Sequence, residues 1–271
     1  MAHLPLTRRA RRLLAAYVDD FVIRRYAQLS RRSSRASALD AATLAGFRRL
    51  CEDRLSRSGR SQKLERAVID QFHRLYYLRA RRTWQNTYFL GVPVWKSPLD
   101  LWIYQEMLHE VRPDFLIEAG TKFGGSAYYF ARLFDLLGHG HVITIDIKPQ
   151  PNRPEHERIT YVTGSSTDEA VAHEIDRRVN GGNVMVVLDS AHHRDHVLTE
   201  LRLWHSRVPV GSYIVVEDTH ADGHPVPTRF GPGPWDAIDA FLAENDAFQI
   251  DRSKHKFLMT FNRRGYLKRV R

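Results

Sequence analysis

The chain has 271 residues, of which 43% are hydrophobic and 27% are charged, a composition typical of a globular protein rather than a disordered or fibrous one. Its single cysteine, Cys51, excludes an internal disulfide framework and a cysteine-rich zinc site, and favours a reducing compartment. No apolar run approaches the ~20 residues of a membrane-spanning helix. The first residues also lack the apolar stretch of a signal peptide, so we predict a cytoplasmic protein.

The amino-terminal part of the chain, residues 4–82, has apolar residues at spacings near three and four, which predicts several helices. Residues 30–37 are predicted to form a loop, and Asp40 to cap a helix that runs to about Leu55. A break at residues 56–59 precedes another predicted helix that ends near Arg81. We therefore predict a helical region over residues 1–85 and a second domain over residues 86–271.

The net charge of +10 is unevenly distributed along the chain. Residues 1–90 hold 20 Lys and Arg against 7 Asp and Glu, whereas residues 91–271 hold 21 against 24. The favoured interpretation is that the basic helices pack against the second domain or against another subunit of a homo-oligomer. The alternative is that the basic segment has a binding function. Its partner would then be a membrane surface or, less favoured, a nucleic acid.

From residue 114 onward, apolar runs alternate with amphipathic segments of helix length. Five of these runs are predicted strands, at residues 115–120, 141–146, 159–164, 184–189 and 212–218. Nearly continuous apolar strands separated by helices predict a parallel sheet covered on both faces, and hence a doubly wound, Rossmann-like α/β domain. Such sheets bind ligands at the carboxyl ends of their strands, where four of these five runs carry carboxylates.

A glycine-rich loop follows the first predicted strand, which carries Glu118 near its end. Its last glycine lacks the Lys-Ser/Thr of a Walker A loop, and Lys122 stands where a dinucleotide fingerprint requires glycine. The remaining pattern suits a nucleoside ligand without phosphates. Asp146, at the end of the second strand, is placed to accept hydrogen bonds from ribose hydroxyls. In the alternative interpretation, Gly124 and Gly125 form only a tight turn.

Three carboxylates, Asp189, Glu217 and Asp218, lie at the ends of neighbouring predicted strands. Together they predict an oxygen-rich site for a hard divalent cation such as Mg²⁺. His192 follows Asp189 by three residues and is placed to take a proton from a hydroxyl bound there. The alternative is that Glu217 and Asp218 only cap the following loop and that His192 is a solvated turn residue.

Two further features bear on function. The loop at residues 219–234 is rich in Gly and Pro and is predicted to be a lid on the acceptor side. The first competing hypothesis is an oxygenase with an iron site of two histidines and one carboxylate. Its ligands would be His193 and Asp195 together with His220 or His255.

These motifs together resemble the cephalosporin hydroxylase family, which includes rhamnosyl O-methyltransferases and is similar at the metal motif to macrolide-sugar O-methyltransferases. The resemblance extends over about residues 91–267 and is carried by the segments 91–100, 118–126, 145–146, 164–166, 188–192, 217–219, 231–237 and 265–267. It implies the fold of class I methyltransferases that use S-adenosylmethionine, together with a bound divalent cation.

Residue by residue, the resemblance implies a role for each matching position. The methionine side of the cofactor would be lined by Glu118, Gly120 and Ser126, with Asp189 close by; Asp146 would hold the ribose and Ser165 would lie beside the adenine. Asp189, Glu217 and Asp218 match metal ligands, and His192 matches the general base. The sequence departs from the pattern at Ala191, where an acidic residue often precedes this histidine.

The implied activity is metal-assisted O-methylation of a hydroxyl on a sugar of a glycolipid, polysaccharide or glycosylated natural product. A vicinal diol suits such a site because both of its oxygens can bind one cation. Two alternatives remain open at this point. They are an iron-dependent hydroxylase, and a basic membrane- or nucleic-acid-binding protein with a non-catalytic cofactor-binding fold.

Overall fold

The computed structural model describes residues 59–227 and 231–271 of the chain. The helices predicted before residue 59, the loop at 30–37 and the cap at Asp40 lie outside these residues. Within them, Ala67–Arg271 form one compact unit. None of the described helices is both long enough and apolar enough to span a membrane.

All five predicted strands are present and lie side by side in the main sheet. A short antiparallel hairpin of β1 (Tyr88–Phe89) and β2 (Val92–Pro93) precedes them. The five strands are β3 (Phe115–Ala119), β4 (His141–Asp146), β5 (Ile159–Thr163), β6 (Val184–Leu188) and β7 (Tyr213–Val216). They pair in parallel in the order β5-β4-β3-β6-β7, which confirms the predicted sheet.

Two further strands, which the sequence did not predict, complete the sheet as a seven-stranded structure. They are β8 (Phe248–Ile250) and β9 (Tyr266–Arg269). The later strand, β9, lies between β7 and β8 and pairs antiparallel to both. The order β5-β4-β3-β6-β7-β9-β8 is therefore parallel except around β9.

Helices connect the strands and cover the two faces of the sheet. They are α2 (Pro98–Val111), α3 (Gly125–Leu137), α4 (Glu169–Val179), α5 (Arg194–Trp204) and α6 (Pro234–Glu244). A further helix, α1 (Gly59–Leu78), precedes β1 in the chain. The helix predicted to end near Arg81 is α1, which stops at Leu78 and is followed by a 3₁₀ turn at Ala80–Arg82. The sequence did not predict α2, which begins with Pro98 at its first turn.

Alternate residues of each central strand enter two separate hydrophobic cores. Leu116 packs with residues of α2 and α3, whereas its neighbour Ile117 packs with residues of α4, α5 and α6. The same alternation separates Met185 from Val186 in β6. Because both faces are buried, the strands are apolar throughout, and the fold is the predicted doubly wound α/β domain.

Candidate active site

Two loops meet closely at the carboxyl edge of the sheet, one leaving β3 and one leaving β6. Gly120 has a φ of +99°, and a Cβ at this position would lie 2.0 Å from the carbonyl oxygen of Asp189. Only glycine therefore lets the loop after β3 pass this backbone. In parallel register, Ala119 pairs with both Ile145 and Leu188, so the residues that follow these strands lie at one edge.

Glu118 is fully buried in β3, and one of its carboxylate oxygens has no partner among the described residues. Thr144 Oγ1 donates a hydrogen bond of 2.7 Å to Glu118 Oε2, whereas Oε1 has no hydrogen-bond partner in the part of the chain that the structure describes. Burial raises the pKa of the Glu118 carboxyl, and the charge of Lys96 opposes that rise. Ser126, at the start of α3, is also buried. A buried orphan acceptor of this kind fits a ligand that carries a hydrogen-bond donor.

Asp146, the last residue of β4, is held by several donors. Its carboxylate accepts hydrogen bonds from the backbone N–H groups of Lys122 at 2.9 Å and Lys148 at 3.1 Å, and from Arg153 Nη2 at 2.8 Å. The Arg153 side chain also donates to the Lys122 carbonyl. Ser165 lies just beyond β5, where its hydroxyl is 2.8 Å from that of Thr167.

A buried lysine that the sequence analysis did not single out joins the ends of β6 and β7. Lys96 Nζ donates to Asp189 Oδ2 at 2.7 Å and to Glu217 Oε1 at 2.6 Å, and the Tyr104 hydroxyl donates to the same Glu217 oxygen at 2.6 Å. Burial alone would lower the pKa of Lys96, but the two carboxylates outweigh it and raise that pKa. Burial raises the pKa of the Glu217 carboxyl, and the charge of Lys96 opposes this rise.

Three residues offer ligand atoms close enough together to hold a metal ion: Asp189, His192 and Asp218, whose atoms all lie within 4.8 Å of one another. His192 Nε2 lies 3.2 Å from Asp218 Oδ2. Two carboxylates at neighbouring strand ends are donors that suit a hard divalent cation. Of the three predicted ligands, the structure thus brings Asp189 and Asp218 together with His192, whereas Glu217 lies outside this group and contacts Lys96 and Tyr104.

The backbone around Asp218 is fixed by residues near the start of β9. Asp218 has a φ of +56°, in the left-handed region that few side chains tolerate. Its N–H donates to Asn262 Oδ1 at 3.3 Å, and the His220 N–H donates to the Phe261 carbonyl at 3.1 Å. Gly265 closes this contact, because a Cβ there would lie 2.0 Å from the Val216 carbonyl oxygen.

Aromatic residues lie beside the carboxylates. A small cavity of about 40 Å³ is lined by Trp95, Lys96, Gly120, Ser126 and Asp189, among other residues. The Trp95 ring contacts Trp84 at 5.9 Å between ring centres, and it contacts Phe123 at 5.2 Å. No role for Trp95 was predicted from the sequence.

The residues of the competing iron hypothesis are not brought together. In the described residues, His193, Asp195, His220 and His255 form no group with metal-binding spacing. Asp195 is exposed and pairs with Arg194 at 2.8 Å, whereas His220 is buried with Nδ1 3.0 Å from the Phe261 carbonyl oxygen. The predicted lid at 219–234 does not begin as a free surface loop, because the first residues of that segment are buried in the protein.

Residues 81–270 match the family model for rhamnosyl O-methyltransferase/CmcI. A rhamnosyl O-methyltransferase of Mycobacterium tuberculosis is 39% identical over 209 residues, which are 74% of this chain and 84% of the relative. The rhamnosyl O-methyltransferase of Mycobacterium leprae is 36% identical over 212 residues, 74% of this chain and 90% of the relative.

Solved structures of CmcI share the fold of this chain. A form of CmcI with Mg and S-adenosylmethionine matches with a TM-score of 0.54 at 21% identity, over 69% of this chain and 78% of that chain. A form with S-adenosylhomocysteine matches with a TM-score of 0.51 at 22% identity, over 69% and 84%.

Proposed function

Because the chain belongs to the rhamnosyl O-methyltransferase/CmcI family, we propose that it transfers a methyl group from S-adenosylmethionine to a sugar hydroxyl with the help of a divalent cation, Mg²⁺. The observation that carries the proposal is the meeting of three features at one sheet edge. They are the Gly120 loop, Asp146 at the end of β4, and the group of Asp189, His192 and Asp218. The first two suit a nucleoside cofactor and the third suits a cation.

The proposed acceptor is a hydroxyl of a deoxyhexose such as rhamnose, in a glycolipid, a polysaccharide or a glycosylated natural product. The relatives are named rhamnosyl O-methyltransferases, which supports a sugar as the acceptor. A vicinal diol is the favoured form, because two neighbouring oxygens can bind one cation. Three statements stay predictions: assembly as a homo-oligomer, membrane-surface contact through residues 1–85, and the division of the chain near residue 86.

The proposed cofactor site runs along the ends of β3, β4 and β5. Glu118 Oε1, buried and without a protein partner in the described residues, fits the amino group of the methionine part, and Ser126 lies beside it. Asp146 is oriented by Arg153 and by backbone N–H groups, which leaves its carboxylate at the position proposed for ribose. Ser165 is proposed to lie at the adenine.

The chain's own residues have distinct tasks in this scheme. Asp189 and Asp218 would hold the cation, which would supply a lower pKa for an acceptor hydroxyl bound to it. His192, with Nε2 3.2 Å from Asp218, is placed to accept the hydroxyl proton at that nitrogen. Lys96 and Tyr104 hold Glu217, and Lys96 holds Asp189, so the site is fixed before the substrates arrive.

Calorimetry of the full chain tests the proposal first, by titration with S-adenosylmethionine in Mg²⁺ and again in EDTA, with NAD as the control ligand. We expect micromolar binding of S-adenosylmethionine and no binding of NAD. Methyl transfer to a rhamnoside with a free vicinal diol should then require Mg²⁺, whereas the corresponding mono-deoxy rhamnoside should react slowly. No binding of S-adenosylmethionine under either condition would refute the proposed function.

A further inference from the structure

A positively charged group already lies on the face of one aromatic ring in the candidate site. Lys122 Nζ is 3.8 Å from the centre of the Trp95 ring, a distance at which a cation is attracted to the electron-rich face of an indole. Tryptophan is the strongest of the aromatic side chains in this interaction. The ring face of Trp95 is therefore a site for a cation.

Trp95 is held in place by its neighbours. Its ring meets Trp84 at an interplanar angle of 88° and Phe123 at 73°. Such nearly perpendicular contacts are a favoured arrangement of aromatic pairs. The indole is half-buried and its backbone lies between two buried residues, Val94 and Lys96. The ring can thus present a fixed surface to a ligand.

The same ring lines the small cavity with Gly120 and Ser126, which are proposed for the methionine side of the cofactor, and with Asp189, which lies close by. S-adenosylmethionine carries its positive charge on sulfur, beside that methionine part. When the methyl group leaves, the sulfur keeps the bonding electron pair and S-adenosylhomocysteine has a neutral thioether. A ring that attracts a cation therefore interacts differently with cofactor and product.

We propose that the Trp95 indole binds the sulfonium group of S-adenosylmethionine through a cation–π interaction, and that this contact makes the site prefer the cofactor over its neutral product. This inference rests on the proposed function. In the cofactor-free protein, the Lys122 ammonium occupies the face of the Trp95 ring. It leaves that face when the cofactor binds, because the ammonium and the sulfonium would repel each other if both lay on one ring. The Lys122 residue is exposed, so its ammonium can move into solvent.

Calorimetry with two ligands that differ by one methyl group and one charge tests the inference. The full chain and its Trp95→Leu and Trp95→Phe variants are titrated with S-adenosylmethionine and with S-adenosylhomocysteine. We expect Trp95→Leu to bind S-adenosylmethionine roughly 3- to 30-fold more weakly and S-adenosylhomocysteine within about twofold of the wild type. Trp95→Phe, which keeps an aromatic face, should lose less.

Trp102→Leu is the matched control, because Trp102 is an exposed tryptophan of α2 and is not part of the cavity lining. It should not change the ratio of the two affinities. An equal loss for both ligands in Trp95→Leu, or no loss for either, would overturn the inference while leaving the proposed function intact. If the wild type bound neither ligand, the proposed function itself would fail.

Discussion

Lys96 Nζ lies 2.6 Å from the carboxylate of Glu217 in the buried region between the ends of β6 and β7. The same ammonium lies 2.7 Å from Asp189, so one internal cation holds two carboxylates from neighbouring strands. Glu217, one of three residues predicted to bind a divalent cation, therefore already has a counter-ion. Asp189 shares this counter-ion, but its ligand atoms, unlike those of Glu217, lie with those of His192 and Asp218 at a spacing that can hold a metal ion.

Lys96→Met should destabilise the protein by about 3–5 kcal/mol, because it leaves two carboxylates at a buried site without their partner. Mg²⁺ should restore more stability to the variant than it adds to the wild type, because a bound cation can offset part of the negative charge that is left unpaired when Lys96 is removed. Urea unfolding with and without Mg²⁺ measures both effects. Lys256→Met, which removes an exposed partner of Glu106, is the control and should change little. Equal unfolding midpoints for Lys96→Met and the wild type would contradict the prediction.

His192→Ala should lower kcat by roughly 10²- to 10⁴-fold with little change in affinity for S-adenosylmethionine, because the side chain is proposed to move a proton rather than to hold the cofactor. Added imidazole should restore part of the rate. His193→Ala, one residue further at the start of α5, is the matched control. A normal rate in His192→Ala would exclude this histidine as the base.

Asp146→Ala and Asp189→Ala should fail in different ways. Asp146→Ala should weaken binding of S-adenosylmethionine, because it removes the carboxylate proposed to hold the ribose. Asp189→Ala should abolish methyl transfer and reduce Mg²⁺ binding while most of the cofactor affinity remains. Calorimetry with each ligand separates the two. If both variants lost cofactor affinity to the same extent, the proposed separation of tasks would be wrong.

His73→Phe should stabilise the protein by roughly 1–3 kcal/mol at neutral pH, because both ring nitrogens of His73 are buried without hydrogen-bond partners in the described residues. The ring is stacked on Phe261 with centres 5.4 Å apart, so phenylalanine fits the same packing. His109→Phe, at an exposed position, is the control. Thermal unfolding at neutral pH measures the change, and a lower melting temperature for His73→Phe would contradict it.

The same variant should be less sensitive to acid. Burial, followed by the charges of His220 and Arg263, lowers the pKa of His73 from 6.5 to about 3. In the unfolded chain, His73 binds a proton as the pH falls below about 6.5, whereas in the folded protein it stays neutral until about pH 3. Stability therefore falls as the pH drops from about 6.5 towards 3. The free energy of unfolding, measured at several pH values across this interval, should therefore change less with pH for His73→Phe than for the wild type.

Asp100→Asn should alter pH dependence in the opposite direction. Burial raises the pKa of Asp100 from 3.8 to about 6, although hydrogen bonds from Thr260, Phe261 and Tyr266 oppose it. The unfolded carboxyl releases its proton first, so the wild type loses stability as the pH rises from about 4 to 6. The variant stays neutral and should gain roughly 3 kcal/mol relative to the wild type over that interval. A constant difference between the two proteins would show that Asp100 is not the group responsible.

The five central strands could be predicted because each is buried on both faces and is therefore apolar at nearly every position. The boundaries of four of these strands agree within one residue, and β7, predicted to end at residue 218, ends two residues earlier at Val216. The strand β9 was missed because it includes Lys268 and Arg269 and has only four residues. The helix α2 was missed because its apolar residues do not form a narrow stripe with a clear period.

Site residues could be predicted where position along a strand determines position in space. Asp146 follows from the end of β4 and Asp189 from the end of β6, and the structure places both at the carboxyl edge. Lys96 could not be predicted, because its partners lie 93 and 121 residues away and no local pattern indicates an ion pair. The roles given to the individual site residues stay predictions until ligands are measured.

The insertion of β9 between β7 and β8 determines when the site can form during synthesis. The ribosome delivers β3 to β7 first, and these parallel strands can pair as they emerge. The turn at Asp218, however, depends on Asn262 and Gly265, which are made more than forty residues later. Until then Asp218 lacks the contacts that hold its unusual backbone, so a nascent chain that already has a sheet does not yet have a cation site.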